Sequence, residues 1–154
     1  MNSIWYAAVE KLGGAALPLE AAEARRMNPL VLAYMGDTIH DLFIRTTLAV
    51  RGDGLVNCLN KKAVRHVNAH GQAVAVQDMM EGLTEEEQDV FRWGRNAKSA
   101  TSPKHADIQE YRKATGFEAV LGYLYITGRT ERLAELLTKA AAAVKEEETC
   151  QRQP

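Results

Sequence analysis

The stretch NPLVLAYMGDTIHDLFIRTTLAV (residues 28–50) decides the fold of this chain. Asn28 is a good helix N-cap because its side chain can accept hydrogen bonds from free backbone amides, and Pro29 fits the first helical turn. A helix is therefore predicted over residues 29–50. Its apolar residues recur at spacings of three and four, as on one face of a helix: Leu32, Met35, Ile39, Leu42 and Phe43.

The rest of the chain predicts further helices and no strands. Apolar periodicity favours a helix over residues 58–80, and Thr84 with Glu87 has the spacing of a capping box, which starts a helix over residues 84–94. The polar stretch RNAKSATSPKHA (95–106) predicts a loop. Two more helices are expected, over residues 108–126 and 130–145. Segments of alternating β-branched residues are absent from the sequence, which favours an all-α fold.

The length of 154 residues suits one domain. We expect this domain to span residues 1–154, with its core at 28–145, an extension at 1–27 and a frayed tail at 146–154. The content of 46% hydrophobic and 25% charged residues is typical of a folded protein. No apolar run is long enough to span a membrane and no signal peptide is recognisable, so a cytoplasmic location is expected, with no membrane partner.

Two acidic residues stand in otherwise apolar helices. Asp37 follows seven uncharged residues, 30–36, and Glu118 is the only charged residue between Phe117 and Ile126. An isolated charge inside a protein is costly, so it is normally neutralised, paired with a basic residue or bound to a metal ion. Asp41, one helical turn after Asp37, could add a third acid. Clustered carboxylates attract a hard divalent cation, and Mg²⁺ suits them because it uses one or two protein carboxylates.

A structural alternative stays open for both acids. Asp37 could pair with a lysine or an arginine, and the Glu118 side chain could extend to the surface. Ion pairs that only stabilise the fold also produce such patterns. Spacing alone does not separate the two interpretations.

Basic residues are concentrated in two places. Between residues 92 and 113 there are six of them, against only Asp107 and Glu110: Arg92, Arg95, Lys98, Lys104, Arg112 and Lys113. A second cluster comprises Lys61, Lys62 and Arg65 with His66. Such residues could follow a phosphate backbone, in salt-sensitive binding of duplex RNA that depends little on base sequence. The alternative is a solvated charged face, and the net charge of -1 argues against binding through bulk positive charge.

Several other residues are interpreted as structural. His66 and His70 lie one helical turn apart and could bind a transition metal, but no further ligand is evident, and a place on the surface or in the core packing is the better interpretation. Tyr123, Tyr125 and Trp93 could stack on bases, yet aromatic residues at helical spacing are usually part of the core. We assign them no chemistry.

Three segments resemble the ribonuclease III family. LAYMGDTIHDLFIR (32–45) resembles its first catalytic helix, in which a Gly-Asp pair follows an apolar run. ATGFEAVLGYLY (114–125) resembles its second acidic segment, in which Glu, Ala, two apolar residues and Gly supply metal ligands. The longer stretch RWGRNAKSATSPKHADIQEYRKATGFEAVLGYLY (92–125) resembles the Mini-ribonuclease III subgroup through its Gly-Arg-Asn-Ala-Lys loop. The resemblance runs over residues 28–137.

The resemblance implies the ribonuclease III endonuclease-domain helical fold and a homodimer that cleaves double-stranded RNA. Asp37 and Glu118 would be the catalytic residues and the ligands of Mg²⁺, for which Mn²⁺ could substitute. The residues expected to contact RNA are Arg95, Asn96, Lys98, Lys104 and Arg112. The implied task is maturation of large-subunit (23S) ribosomal RNA from its precursor.

Two positions depart from the pattern of full-length ribonuclease III. The acid expected four residues before Asp37 is Ala33, and the acid expected three residues before Glu118 is Thr115. Both departures resemble the pattern of the Mini subgroup, but they leave fewer ligands for a two-metal site. They also support the alternative of a non-catalytic RNA-binding scaffold with the same fold. A helical protein-interaction module is a third interpretation, which leaves the two acids unexplained.

Overall fold

The computed structural model describes residues 3–52, 54–98 and 107–145. The helices within these ranges are α1 (Ser3–Lys11), α2 (Ala21–Ala24), α3 (Pro29–Arg51), α4 (Val56–Val67), α5 (Ala69–Met79), a 3₁₀ turn (Met80–Gly82), α6 (Glu85–Asn96), α7 (Ile108–Ile126) and α8 (Thr130–Ala143). No strand occurs within them, so the expected all-α fold is confirmed. None of the helices described is both long and apolar enough to cross a membrane.

Helix α7 lies at the centre and crosses α3 in an antiparallel direction at two glycines. A Cβ atom on Gly122 of α7 would lie 2.0 Å from the backbone oxygen of Leu32, and one on Gly36 of α3 would lie 1.8 Å from the backbone oxygen of Glu118. Both distances are far below van der Waals contact. The two backbones therefore touch where neither helix carries a side chain.

Helix α6 approaches α7 in a similar way. A Cβ atom on Gly94 would lie 2.7 Å from that of Ala119, and one on Gly116 would lie 2.7 Å from the backbone oxygen of Phe91. The main core forms around these crossings, and its largest fully buried members are Leu32, Phe117, Leu121, Tyr123, Leu124 and Leu136. A smaller cluster of Ile44, Leu48 and Ala63 joins α3 to α4.

Local capping sets the starts of α3 and α6. Asn28 accepts a hydrogen bond from the Leu30 amide at 2.9 Å, as predicted. Thr84 and Glu87 form both bonds of the predicted capping box. Helix α6 extends to Asn96, two residues beyond its predicted end, whereas α8 ends at Ala143 rather than at residue 145. The predicted tail, 146–154, and most of the predicted loop, 99–106, lie outside the described residues.

The prediction of one helix over residues 58–80 is wrong. The chain turns at Asn68, whose backbone is extended and whose side chain accepts a hydrogen bond from the Gly71 amide at 2.7 Å. A Cβ atom on Gly71 would lie 2.0 Å from the Arg65 backbone oxygen, so glycine lets the chain pass close to α4. The predicted helix is therefore two, α4 and α5, with Asn68 as the C-cap of one and the N-cap of the next.

The buried face of α3 differs from the predicted stripe. Leu42 is 59% exposed, and buried positions include Gly36 and His40, which the apolar pattern did not single out. The reason is the close contact with α7, which buries the glycine side of the helix.

The N-terminal segment packs onto the end of α7. The Tyr6 hydroxyl donates to the Tyr125 backbone oxygen at 2.6 Å, and the Leu19 amide donates to the Ile126 backbone oxygen at 2.8 Å. Ala24 is fully buried in the main core. The described part of residues 1–27 is thus attached to the folded domain.

Candidate active site

The close contact between α3 and α7 brings Asp37 and Glu118 together. Gly36, the residue before Asp37, touches the backbone of Glu118 itself. The two carboxyl groups lie within hydrogen-bonding reach of each other. The glycine before the acid is therefore what allows two residues 81 positions apart in sequence to share one site.

The proximity of the two acids changes their ionisation. Burial and the Asp37 charge raise the pKa of Glu118 to about 8. Burial and the Asp41 charge also raise the pKa of Asp37, although its hydrogen bond with Glu118 acts in the opposite direction. Like charges held together in a partly dehydrated site oppose ionisation of both groups. Without a positive charge beside it, the pair favours retaining a proton.

The ion-pair alternative does not describe this pair. Within the described residues, no lysine or arginine is among the influences on the pKa of either carboxyl group. Asp41 differs, because it accepts a hydrogen bond from Arg45 at 2.8 Å, and Arg45 also donates to Asn60 at 2.7 Å. The described ranges hold no group of three His, Cys, Asp or Glu residues placed to bind a metal ion. The suggested three-acid cluster is therefore not formed there.

The donor set fits a small hard cation. Two carboxyl groups meet at the edge of the core, with Asp37 exposed and Glu118 partly buried. Mg²⁺ commonly takes one or two protein carboxylates and completes its octahedron with water and phosphate oxygens. A divalent cation between the two groups would also remove the repulsion that raises their pKa values. Asp37 and Glu118 are the residues that could hold it.

The positions of the two missing acids have structural explanations. Ala33 is 4% exposed and belongs to the main core. Thr115 is 8% exposed, and its hydroxyl donates to the Tyr111 backbone oxygen at 3.0 Å. Neither side chain extends the acidic site.

The expected RNA-contacting residues fall into three groups. Arg95 and Asn96 are in the last turn of α6, directly after Gly94, whose contact with Ala119 places them beside the Glu118 segment of α7. Lys98 is exposed just beyond that helix, and Lys104 lies outside the described residues. Arg112 is exposed on α7, about 9 Å before Glu118 along the helix axis and a third of a turn away around it.

Sequence reasoning missed two buried polar residues behind the acids, His40 on α3 and Gln72 on α5. Each is 1% exposed. The Gln72 amide nitrogen lies 3.1 Å from His40 Nδ1, and Gln72 also interacts with the Glu118 carboxyl group. One signal was available for His40, which lies one turn after Gly36 and thus on the helix side that faces α7. Nothing in the sequence pointed to Gln72.

The residues interpreted as structural fit that interpretation. His66 is buried, whereas His70 is exposed and bonds Glu110 at 2.7 Å. Tyr123 is fully buried and its hydroxyl donates to Glu86. Tyr125 packs edge-on against Tyr6 with ring centroids 5.9 Å apart.

Comparison with known proteins identifies relatives of this chain. Residues 30–129 match the family model described as Ribonuclease III domain. The chain is similar to Mini-ribonuclease 3 of Symbiobacterium thermophilum, with 48% identity over 80% of this chain and 95% of that protein. It is also similar to Mini-ribonuclease 3 of Staphylococcus aureus, with 43% identity over 78% and 91%. A crystal structure of a protein from Fusobacterium nucleatum superposes with a TM-score of 0.68 and 29% identity, over 74% of this chain and 91% of that one.

The variant Glu118→Gln is expected to stabilise the metal-free protein at alkaline pH. Because the Glu118 pKa is raised to about 8 in the folded state, the folded protein binds more protons than the unfolded chain above the ordinary pKa of glutamate. Stability therefore falls as pH rises through this window. Glutamine does not ionise, so thermal unfolding in EDTA should give similar midpoints at pH 5 and a midpoint several degrees higher for the variant at pH 9.

Glu87→Gln is the matched control, with the opposite sign. Burial acts to raise the Glu87 pKa, but hydrogen bonds from Arg132 and from the Thr84 backbone outweigh it and leave that pKa lowered. This carboxylate contributes stability above its unfolded pKa, so its variant should unfold at a lower temperature at pH 9. A Glu118→Gln protein that is no more stable than the wild type at pH 9 contradicts the prediction.

Proposed function

Because the chain belongs to the ribonuclease III family and to its Mini-ribonuclease 3 group, it is an endoribonuclease, and we propose that Asp37 and Glu118 form its catalytic centre for cleaving double-stranded RNA. The observation that carries this proposal is the meeting of these two acids at the contact between α3 and α7. The domain proposed to carry this activity spans residues 1–154, with its core at 28–145.

The catalytic centre is proposed to use Mg²⁺, held by Asp37 and Glu118, with Mn²⁺ able to substitute. The chemistry supplied by the bound cation is Lewis-acid activation of water and neutralisation of charge on the scissile phosphate. The protein fixes the separation of the two carboxyl groups, because they stand on helices whose backbones touch. That rigidity keeps both acids in place before RNA arrives.

Asp37→Asn is expected to reduce cleavage by about a thousandfold or more, since charge stabilisation by a catalytic metal is worth several kcal/mol. The substitution keeps the size of the side chain and removes repulsion against Glu118, so folding should be preserved. The measurement is the cleavage rate of a labelled, perfectly paired RNA duplex, with and without Mg²⁺.

The control for this experiment is Asp89→Asn. Asp89 is an exposed acid on α6 that pairs with Arg92, so the cleavage rate of its variant should match that of the wild type. Unchanged cleavage by Asp37→Asn would refute the assignment of this residue. A wild-type protein that binds the duplex and never cuts it would favour the scaffold alternative, for which the thin acidic site is the supporting observation.

RNA is proposed to lie across the end of α6 and the start of α7, where Arg95, Asn96, Lys98, Lys104 and Arg112 contact its backbone. Arg95 donates to Asn96 at 3.2 Å and its guanidinium lies over the Phe91 ring, so this side chain is held at the helix end. Lys98 and Arg112 are exposed, so their positive charges face solvent. Contacts of this kind suit recognition of A-form duplexes by shape and phosphate position.

The double variant Lys98→Ala and Arg112→Ala is expected to weaken duplex binding about tenfold or more at moderate salt. Each lost phosphate contact should also reduce the slope of log affinity against log salt by about one. Binding is measured by fluorescence anisotropy in EDTA over a salt series. Lys139→Ala, which removes an exposed lysine paired with Glu135 on α8, should bind as the wild type does. A change in turnover with unaltered binding contradicts the proposed role.

The natural substrate is proposed to be precursor RNA of the large ribosomal subunit, processed in the cytoplasm. This task is what the resemblance to the Mini subgroup implies, and the similarity to proteins named Mini-ribonuclease 3 supports that subgroup. Incubation of the purified protein with a 23S precursor transcript tests it. A protein that cleaves simple duplexes but leaves the precursor transcript uncut would contradict it.

A homodimer is proposed to form through an apolar groove of about 650 Å³ between α1, α3 and the end of α7. Three large side chains on this groove are strongly exposed: Trp5 at 59%, Tyr34 at 76% and Leu42 at 59%. Neighbouring exposed apolar side chains of this kind mark a candidate protein–protein contact. Across a twofold axis, the projecting rings of each copy would fill the groove of the other.

Leu42→Glu is expected to convert a dimer to a monomer, because two charges would be buried at the contact. Leu55→Glu, at a residue that is 77% exposed and does not line the groove, should leave the dimer intact. Sedimentation equilibrium measures both masses. A wild-type protein that sediments as a monomer would contradict the proposal.

A further inference from the structure

Gln72 and His40 form a buried polar pair behind Glu118. Both side chains are 1% exposed, and their contact is 3.1 Å between the Gln72 amide nitrogen and His40 Nδ1. An amide nitrogen can only donate, so His40 Nδ1 accepts. This requires a neutral ring, and burial together with the nearby His66 lowers the His40 pKa to about 4.

The His40 ring is oriented by this contact and by packing. It stands edge-on to Phe117, the residue before Glu118, with ring centroids 5.4 Å apart. Its other nitrogen, Nε2, is buried and has no hydrogen-bond partner within the described ranges. The ring thus points Nδ1 at Gln72 in an orientation that leaves Nε2 without a hydrogen bond to the described residues. A buried polar atom without a partner is costly, which marks the Nδ1 contact as important to the arrangement.

Gln72 also faces the acid. Its side chain interacts with the Glu118 carboxyl group as a donor, which favours the ionised form. Three helices meet here, α3 through His40, α5 through Gln72 and α7 through Glu118. A fully buried amide in this position connects the core of the protein to the one proposed metal ligand that is itself partly buried.

We propose that Gln72, oriented by His40, is a positioning residue that holds the Glu118 carboxylate in the orientation required to bind the cation together with Asp37. This inference rests on the proposed function of the two acids. Groups that orient metal ligands in this way typically change metal affinity or activity by 10- to 100-fold when removed. Asp37 is exposed whereas Glu118 is partly buried, so Gln72 acts on the more enclosed of the two acids.

The test replaces Gln72 by Met, which keeps the size of the side chain and removes the donor. Mn²⁺ binding is measured by calorimetry on the protein without RNA, and cleavage of a duplex is measured over a range of Mg²⁺. The expected result is about a tenfold weaker Mn²⁺ affinity. The Mg²⁺ concentration for half-maximal cleavage should rise in the same proportion, while KM for the duplex stays unchanged.

Glu87→Met is the matched control, because Glu87 is 2% exposed and is also held by hydrogen bonds, from Arg132 at 2.8 and 2.9 Å. It should lose stability without losing Mn²⁺ affinity. An equal loss of affinity in both variants would overturn the proposal, since it would reflect damage to the fold. If circular dichroism shows that Gln72→Met does not fold, Gln72→Asn, whose shorter amide cannot reach both partners, is measured in the same way and should show the same loss.

The failure of this inference is distinguishable from failure of the proposed function. If Asp37→Asn abolishes Mn²⁺ binding but a folded Gln72 variant binds Mn²⁺ as tightly as the wild type, only the role of Gln72 is overturned. Unchanged Mn²⁺ binding in Asp37→Asn overturns the metal site itself and the inference with it.

Discussion

The contact between the backbones of α3 and α7 is the constraint on which the rest of the structure depends. Gly36 of α3 touches Glu118 of α7, and Gly122 of α7 touches Leu32 of α3. Within each helix, the glycine and the residue that meets the other glycine lie one helical turn apart. Any side chain at either glycine would separate the helices. The separation of the two acids, the burial of His40 and the packing of the main core all follow from this short distance.

The sequence was sufficient for features that depend on neighbouring residues. Asn28 and the pair Thr84 and Glu87 define helix starts through bonds within one turn, and the structure contains those bonds. The two acids were also recognisable, because a lone charge in an apolar helix is costly wherever that helix packs. Their meeting in space was an expectation that needed the family resemblance, since spacing alone left an ion pair open.

Features that the apolar pattern does not record were not predicted. The turn at Asn68 looks like helix in the apolar pattern, and only the passage of Gly71 over the Arg65 backbone makes the turn favourable. Leu42 has the right spacing for the core but lies outside it, because the stripe that packs on α7 is defined by a glycine rather than by large residues. Gln72 carries no sequence signal because its partners come from two other helices.

The attachment of the N-terminal segment has a consequence for the order in which the chain can fold during synthesis. Leu19 and Tyr6 bond to backbone oxygens at Ile126 and Tyr125, which are made more than a hundred residues later. Tyr6 and Leu19 thus have no partner to bond until the last turn of α7 has emerged from the ribosome. This early segment is therefore fixed in place only after most of the domain has been made.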